Sequence, residues 1–419
     1  MLTARSLRFD ARARVWEGTG RPQPLPYDMS SADLPAEVEA TFPSPPVSAP
    51  PAAVKRVDLC SLTLPELQKF VVEELGDKAF RAGQIYRWVH QRGVTAFEEM
   101  TDLSKALRQK LAERCEMKPL TKDLEQRSSD GTIKYRWKTH DGRYIESVYM
   151  PSPDRKTLCV STQVGCAMAC TFCATGTLGL KRNLTPGEIV AQVHAVNREV
   201  RQNEGLQLLR PLTNLVFMGM GEPLHNFNNL KTALKILQSE DGPNFSHRHI
   251  TVSTVGLVPM IERFGAETDV KLAISLNATT DEQRSKTMPV NRKWNIAALM
   301  DACRKFPLRQ GRRITFEYVM LKGINDTDED AARLIELLKG IPAKVNLIPY
   351  NENAGLGFHT VQDDRAERFR HLLTEGHVAA FIRQNRGRDI AAACGQLANV
   401  SEPARPPASF IDNPEGQPV

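Results

Sequence analysis

The chain has 419 residues, a formal net charge of +6 and 41% hydrophobic residues. A chain of this length buries enough core to fold without disulfide staples, and it has no uninterrupted apolar run long enough to cross a bilayer. These features exclude a small disulfide scaffold and a helical membrane protein. The modest positive charge permits an anionic partner without demanding one.

The two ends of the sequence have the composition of disordered segments. Residues 21–51 contain nine prolines, few large apolar side chains and no periodicity, which predicts a disordered tail over residues 1–55. The last stretch, SEPARPPASFIDNPEGQPV, predicts a second disordered tail over residues 398–419. Because the N-terminus lacks the apolar stretch of a signal peptide, we expect a cytoplasmic protein with no membrane partner.

Residues 56–125 are predicted to form a small helical domain. The apolar spacing in LPELQKFVVEELG, AFRAGQIYRWVHQRG and LSKALRQKLAERC is that of amphipathic helices, and Tyr86 and Trp88 share a helix with Arg87. The charged surface is typical of a solvated face, and a phosphate-binding patch is the alternative. Its basic residues are Lys69, Lys78, Arg81, Arg87, Arg92, Lys105, Arg108 and Lys110.

The rest of the chain alternates strands and helices. Two alternating runs in TIKYRWKTHDGRYIESVYM flank Asp141-Gly142, which predicts a β-hairpin linker over residues 126–151. Over residues 152–397, six β-branched runs are each followed by a candidate helix, which is typical of a parallel α/β sheet. They are TLCVST, LTNLVFMG, HITVST, VKLAISL, RITFEYVM and KVNLIPY. Periodicity alone does not distinguish an open sheet from an incomplete (β/α) barrel.

Polar residues follow most of these strands, where the active residues of such folds lie. The segment VGCAMACTFCATG follows the first strand and carries Cys166, Cys170 and Cys173. Structural zinc needs four ligands, so a zinc site would require completion by Cys159, His194 or a more distant residue. Three thiolates can instead hold three irons of a [4Fe–4S] cluster and leave the fourth iron open for a small molecule.

This CxxxCxxC motif, with Phe172 before its last cysteine, strongly resembles the signature of the radical S-adenosylmethionine (SAM) superfamily. GMGEPL, after the second strand, resembles the glycine–glutamate motif of that superfamily. The resemblance implies a partial (β/α)6 barrel, a [4Fe–4S] cluster and SAM, whose amino and carboxylate groups chelate the open iron and whose cleavage gives a 5′-deoxyadenosyl radical.

A longer set of segments resembles the RlmN family of adenine C2 methyltransferases, which modify 23S rRNA and tRNA. The segments are TLCVSTQVGCAMACTFCATG, FMGMGEPLHN, ITVSTVG, LAISLNAT, IPYN and RGRDIAAACGQL. The resemblance covers residues 62–396. It implies 23S rRNA and tRNA as substrates, a flavodoxin-like electron donor and a monomer.

The same resemblance implies the roles of individual residues. Adenine C2 is electron-poor, so one SAM is expected to methylate Cys394 and a second SAM to generate the radical that activates this methyl group. Glu146 matches the family's proton acceptor, with an exposed hairpin carboxylate as the alternative, and Cys159 matches the thiol that resolves the adduct through a transient disulfide with Cys394. The residues matching the SAM site are Gly221, Glu222, Ser253, Ser275, Leu276, Asn277 and Asn351. Asn277 stands where histidine is frequent in the family.

Three other functions compete with this interpretation. The sister family of radical SAM enzymes methylates adenine C8 and shares the cysteine set, so only the position of the methyl group distinguishes the two. A redox or regulatory iron–sulfur protein would need neither an open iron nor the pair Cys159 and Cys394. A radical activase would need a protein partner and would leave Cys394 unexplained.

Overall fold

A ten-stranded sheet is the centre of the computed structural model, which describes residues 56–205, 211–353 and 355–398. The predicted tails over residues 1–55 and 398–419 lie outside the described residues, except for residue 398. None of the helices in the described ranges combines the length and apolarity needed to cross a bilayer.

The strands of the described residues are numbered in chain order. They are β1 (Val57–Asp58), β2 (Cys115–Glu116), β3 (Thr121–Arg127), β4 (Ile133–Lys138), β5 (Tyr144–Ser152), β6 (Arg155–Cys159), β7 (Gln163–Gly165), β8 (Leu180–Asn183), β9 (Asn214–Phe217), β10 (Ile250–Thr254), β11 (Lys271–Ser275), β12 (Ile314–Met320), β13 (Ala343–Pro349) and β14 (Ala380–Ile382).

The α-helices of these residues are numbered in the same way. They are α1 (Leu64–Glu73), α2 (Phe80–Tyr86), α3 (Lys105–Arg114), α4 (Ala174–Thr177), α5 (Pro186–Glu204), α6 (Phe227–Gln238), α7 (Val258–Glu267), α8 (Asp281–Thr287), α9 (Ile296–Lys305), α10 (Asp328–Leu338) and α11 (Asp363–Glu375). A π-helical segment, Arg87–Arg92, continues α2, and short 3₁₀ turns occur at Leu59–Ser61, Phe97–Glu99, Pro223–Asn226, His247–His249, Pro289–Arg292 and Arg388–Ile390.

The main sheet has the strand order β14-β13-β12-β11-β10-β9-β6-β5-β4-β3. The strands from β6 to β14 in this order pair in parallel, and β5, β4 and β3 extend the sheet by antiparallel pairing. Within the described residues β14 and β3 are its two edges, so the sheet does not close. The predicted α/β fold is confirmed, with β14 as a parallel strand beyond the six that were predicted.

The predicted hairpin is formed by β4 and β5, whose last pair before the turn is Lys138 with Tyr144. Gly142 has a φ of 81°, which suits glycine in a tight turn. The hairpin continues directly into the parallel sheet, because Val148 of β5 pairs with Cys159 of β6. The predicted domain boundary between residues 125 and 126 lies within β3.

Helix α5 shows how local sequence anchors these elements. Thr185 caps the helix by accepting a hydrogen bond from the Glu188 N–H at 3.2 Å, and Pro186 begins the helix. The Glu188 carboxylate binds Arg182 at 2.7 Å, and Arg182 also binds Asp141 of the hairpin turn at 2.7 Å. The start of α5 therefore fixes the hairpin turn.

Several members of the predicted cationic patch have partners within the protein. Tyr86 and Trp88 are buried, and the Arg92 guanidinium lies 3.9 Å from the centre of a Trp88 ring. Arg87 pairs with Asp241 at 3.1 Å, and the Lys110 ammonium group donates a hydrogen bond to the Leu75 carbonyl. These contacts favour structural roles for the two aromatic residues and for part of the patch.

Candidate active site

The structure brings the three motif cysteines together on the loop between β7 and α4. The Cys166 N–H donates to the Gly179 carbonyl at 3.1 Å, and the Cys173 N–H donates to the Cys170 carbonyl at 3.1 Å. The three thiols are close enough to interact electrostatically. Burial raises the pKa of each thiol, so binding to a metal is needed to keep them as thiolates.

Two glycines allow this loop to pack tightly. Gly165 has a φ of 77°, and a Cβ there would lie 1.9 Å from the Gly179 carbonyl oxygen. A Cβ on Gly176 would lie 2.8 Å from the Cys170 carbonyl oxygen. Neither position accepts a side chain without moving the cysteine loop.

The donor set fits an iron–sulfur cluster. Ligands of a single zinc ion lie about 4 Å from one another, whereas each thiolate of a cluster binds its own iron. In the part of the chain that the structure describes, no three Cys, His, Asp or Glu side chains converge closely enough to hold a single metal ion. Three soft thiolates on one loop are the donor type that iron–sulfur clusters take.

A cavity opens beside this loop and is termed the SAM-side cavity, because residues predicted to bind SAM line it. Its lining combines the cysteine loop with the C-terminal ends of the parallel strands. The lining residues predicted from the sequence are Cys170, Cys173, Gly221, Glu222, Ser253, Ser275, Asn277 and Cys394. Leu276 and Asn351 do not line the cavity; Leu276 is fully buried and Asn351 is buried.

Glu222 is held rigidly at the edge of this cavity. Its carboxylate accepts hydrogen bonds from the Val255 N–H at 2.9 Å and the Leu224 N–H at 3.0 Å. Burial raises the pKa of this carboxyl to about 7, against those hydrogen bonds. Gly221 has a φ of 98°, and a Cβ there would lie 2.5 Å from Gln163, so glycine is required next to Glu222.

The two predicted asparagines differ in their surroundings. Asn277 has a φ of 56°, its side-chain oxygen accepts the Val319 N–H at 2.8 Å, and its amide lies 3.3 Å from the Met288 sulfur. Asn351 is 2% exposed, and neither polar atom of its side chain has a partner among the described residues. Because an unpaired buried amide is costly, Asn351 is suited to bind a ligand.

A second cavity, termed the thiol cavity, is lined by both Cys159 and Cys394. Cys159 is buried at the end of β6, and Cys394 is exposed on the loop after the 3₁₀ turn Arg388–Ile390. Cys394 and Cys173 line both cavities. Cys394 therefore lies where the SAM-side cavity and the thiol cavity meet.

Arg383 lies beside both thiols. Burial raises the pKa of Cys159 to about 12, and the Arg383 guanidinium opposes that shift. The same guanidinium also acts to lower the pKa of Cys394. Glu317, which lines the SAM-side cavity, faces the same guanidinium. Its Oε1 accepts a hydrogen bond from Asn346 at 2.9 Å, and its Oε2 has no partner among the described residues.

Sequence reasoning missed Arg383 and Glu317. Arg383 follows β14, a three-residue strand that was not predicted. Glu317 is a carboxylate within the otherwise apolar run ITFEYVM, and this was a usable signal, because a buried charge in a strand is rare unless it is paired.

Glu146 is buried in the middle of β5, with 2% exposure, so it is not an exposed hairpin carboxylate. It shares a strand face with Val148 and Met150, which line the thiol cavity. Its Oε1 lies 3.5 Å from the Lys134 Nζ, and its Oε2 accepts the Ala398 N–H at 3.1 Å.

Comparison with known proteins places these features among RNA-modifying enzymes. Residues 57–117 match the family model described as Ribosomal RNA large subunit methyltransferase N-terminal domain, and residues 160–335 match the Radical SAM superfamily. The chain is 79% identical over 367 residues to the dual-specificity RNA methyltransferase RlmN 2 of Myxococcus xanthus, covering 87% of this chain and 97% of the relative. It is 62% identical over 352 residues to RlmN of Anaeromyxobacter dehalogenans, covering 83% and 94%.

The fold also matches a solved structure. A crystal structure of a radical SAM methyltransferase from Sphaerobacter thermophilus aligns with a TM-score of 0.77 and 46% identity, over 82% of this chain and 99% of that one.

Proposed function

The chain belongs to the RlmN family of radical SAM RNA methyltransferases, and we propose that it methylates C2 of adenosine in 23S rRNA and in tRNA through a methylated Cys394. The observation that carries this proposal is the position of Cys394 in both cavities, next to the motif cysteines on one side and Cys159 on the other. A redox regulator or a radical activase would not need this arrangement.

Three sets of residues would hold the cofactor and SAM. Cys166, Cys170 and Cys173 would bind the [4Fe–4S] cluster, and Glu222 and Asn351 would bind polar groups of SAM. Gly221, Ser253 and Ser275 would complete the SAM site, whereas Leu276 and Asn277 would act through packing and backbone geometry. When bound, the cluster supplies the electron that cleaves one SAM to a hydrogen-abstracting radical.

Cys394 would first act as a nucleophile. Its thiolate attacks the methyl carbon of SAM, and the electron pair of the broken carbon–sulfur bond leaves with S-adenosylhomocysteine. Arg383 favours the thiolate required for this displacement. The methylthio group of Cys394 is then the source of the carbon that reaches the RNA, because adenine C2 is too electron-poor to attack SAM itself.

Glu146 and Cys159 would resolve the resulting adduct between adenine C2 and Cys394. The adduct is a radical, so it must give up one electron as well as the C2 proton before the ring regains aromaticity. Glu146 would accept the proton, and the oxidised [4Fe–4S] cluster, when bound, would supply the acceptor for the electron. Cys159 then attacks the Cys394 sulfur to form a disulfide. The electron pair of the broken carbon–sulfur bond stays on carbon, which takes up a proton and becomes the methyl group.

The substrate adenosine must leave its stack before its C2 edge can enter the thiol cavity, which favours an adenosine presented from an RNA loop. We expect a flavodoxin-like protein to supply the electrons and the enzyme to act as a monomer.

Anaerobic turnover of the iron-reconstituted enzyme tests the proposal. Unmodified 23S rRNA fragments and tRNA are incubated with methyl-labelled SAM, and the digested nucleosides are identified by mass spectrometry. We expect labelled 2-methyladenosine, its absence from Cys394→Ala, and its retention in Cys303→Ala, a buried cysteine outside both cavities. Labelled 8-methyladenosine would contradict the assignment to C2.

A further inference from the structure

Lys134 is a buried cation in the antiparallel part of the sheet. Its side chain is 6% exposed, and it lies on β4, the strand next to that of Glu146. Burying an ammonium group is unfavourable unless the charge is paired and hydrogen-bonded. Lys134 meets this requirement through the Glu146 Oε1 at 3.5 Å and the Ala391 carbonyl oxygen at 3.1 Å.

The second oxygen of Glu146 makes the complementary contact. Its Oε2 accepts the Ala398 N–H at 3.1 Å. Ala391 and Ala398 lie on either side of Cys394 in the sequence, so one buried ion pair holds both ends of the loop that carries this thiol. Residues 391–398 are termed the carrier loop.

The conformation of the carrier loop needs such support. Ala391 has a φ of 49°, a left-handed conformation that is unfavourable for a residue with a side chain. Its carbonyl is the group that Lys134 binds. The other side of the loop is held by the cysteine loop, since the Ala174 N–H donates to the Gly395 carbonyl at 2.8 Å.

We propose that Lys134 is a positioning residue that holds the Glu146 carboxylate and the Cys394 carrier loop in one fixed arrangement for resolution of the RNA adduct. This inference rests on the proposed function. In the adduct the adenine C2 is bonded through one carbon to the Cys394 sulfur, so the position of the carrier loop sets where the C2 proton lies. The proton moves to a Glu146 oxygen while the bonding pair stays in the ring, which requires that carboxylate and loop be placed together.

The proposal predicts a separation between two halves of the reaction. Methylation of Cys394 does not use the Glu146 carboxylate, and the Ala174 N–H still holds the carrier loop through the Gly395 carbonyl, so this step proceeds without Lys134. Resolution of the adduct uses Glu146 and therefore slows. Because Glu146 is buried, water does not accept the C2 proton in its place.

Lys134→Gln and Lys134→Arg form the test pair. Glutamine keeps a donor for the Ala391 carbonyl and removes the charge, and arginine keeps the charge. Lys138→Gln is the matched control, because Lys138 is exposed on the same strand. The reconstituted holoenzymes are incubated anaerobically with SAM and an unmodified 23S rRNA fragment. Peptide mass spectrometry measures methylated Cys394, and a denaturing gel measures the covalent RNA–protein adduct.

We expect Lys134→Gln to form methylated Cys394 at the wild-type level, to accumulate adduct and to lower 2-methyladenosine formation about 10- to 100-fold. Lys134→Arg should recover most of that loss, and Lys138→Gln should match the wild type. If Lys134→Gln does not fold, Lys134→Met replaces it, because methionine retains most of the volume of the lysine side chain. Methylated Cys394 and the RNA–protein adduct are then measured in the same way. Product formation at the wild-type rate, or equal loss of Cys394 methylation and product, overturns the proposal.

Cys159→Ala separates this inference from the proposed function. It lacks the resolving thiol and must accumulate adduct if the covalent route operates. An adduct in Cys159→Ala but not in the Lys134 variants overturns only the role of Lys134. No adduct in Cys159→Ala overturns the covalent route and the Lys134 assignment with it.

Discussion

Cys159 and Cys394 line the same cavity, although one ends the first parallel strand of the main sheet and the other lies beyond the last. Both thiols are free in the structure. Their shared cavity allows a disulfide to form and break without rearranging the sheet, because one partner lies on a loop.

Mild oxidation of the holoenzyme should join these two thiols. A disulfide requires Cα atoms within about 7 Å, so the cross-link tests whether the carrier loop brings the two residues to that separation. We expect a cross-linked peptide pair containing Cys159 and Cys394 in non-reducing peptide mass spectrometry. Cys303, which is 1% exposed in the core, should stay reduced. Pairing of Cys394 only between chains would contradict the assignment.

Removing Arg383 should slow methylation of Cys394. The Arg383 guanidinium acts to lower the pKa of Cys394, so Arg383→Gln raises this pKa and leaves less thiolate at a given pH. A rise of about one pKa unit lowers the thiolate fraction roughly tenfold. The rate of Cys394 methylation in a single turnover should fall by that factor and recover as the pH increases, and Arg383→Lys should be affected less. Equal rates in Arg383→Gln and the wild type would disprove the electrostatic role.

Asn351 and Asn277 should respond differently to substitution by alanine. Asn351→Ala removes no hydrogen bond made within the described residues, so it should change stability little and weaken SAM binding about tenfold. Asn277→Ala leaves the Val319 N–H without its partner and places alanine at a positive φ. It should lower the free energy of unfolding by about 1–3 kcal/mol and leave SAM affinity nearly unchanged. Isothermal titration with SAM and urea unfolding measure the two effects. Weaker SAM binding in Asn277→Ala together with lower stability in Asn351→Ala would contradict both assignments.

Acid should destabilise the protein through a pair of histidines, of which His90 is buried and His194 is half-buried. The His194 Nε2 lies 3.5 Å from the His90 Nδ1. Burial, with the positive charge of Arg198, lowers the pKa of His194 from 6.5 to about 4, and burial with His194 lowers that of His90. The unfolded chain therefore binds protons that the folded chain rejects, and stability falls as the pH decreases from 6.5 towards about 4.

The His194 contribution amounts to about 3 kcal/mol at the acid end of that range. A comparison of urea unfolding at about pH 5 and about pH 7.5 should recover about 2 kcal/mol of it. His194→Gln should flatten the pH dependence, whereas His371→Gln, at an exposed position on α11, should not. If the free energy of unfolding of His194→Gln depends on pH as steeply as that of the wild type, the histidine pair is not the cause of the acid destabilisation.

The sequence predicted the elements whose patterns are local. The six β-branched runs became parallel strands, and Asp141-Gly142 became the hairpin turn. Strand β14 is only three residues long, and β3 is the polar segment TKDLEQR with mostly exposed residues, so neither has the pattern of a buried strand.

The site could be predicted where a motif fixes spacing, as in the cysteine loop. The burial of Glu146 and its contacts with Lys134 and Ala398 depend on residues that meet only in the folded sheet. The same holds for Asn277, because a side chain that could accept a hydrogen bond from SAM instead accepts one from the Val319 backbone. Its role in binding SAM stays a prediction.

The order of the elements along the chain also determines when the site is completed during synthesis. The hairpin with Glu146 and the parallel strands emerge from the ribosome first, and the carrier loop is the last described part of the site to emerge. A nascent chain that already has most of its sheet still lacks Cys394. On the proposed route this thiol therefore meets the cysteine loop and Cys159 only after those parts of the site have been synthesised.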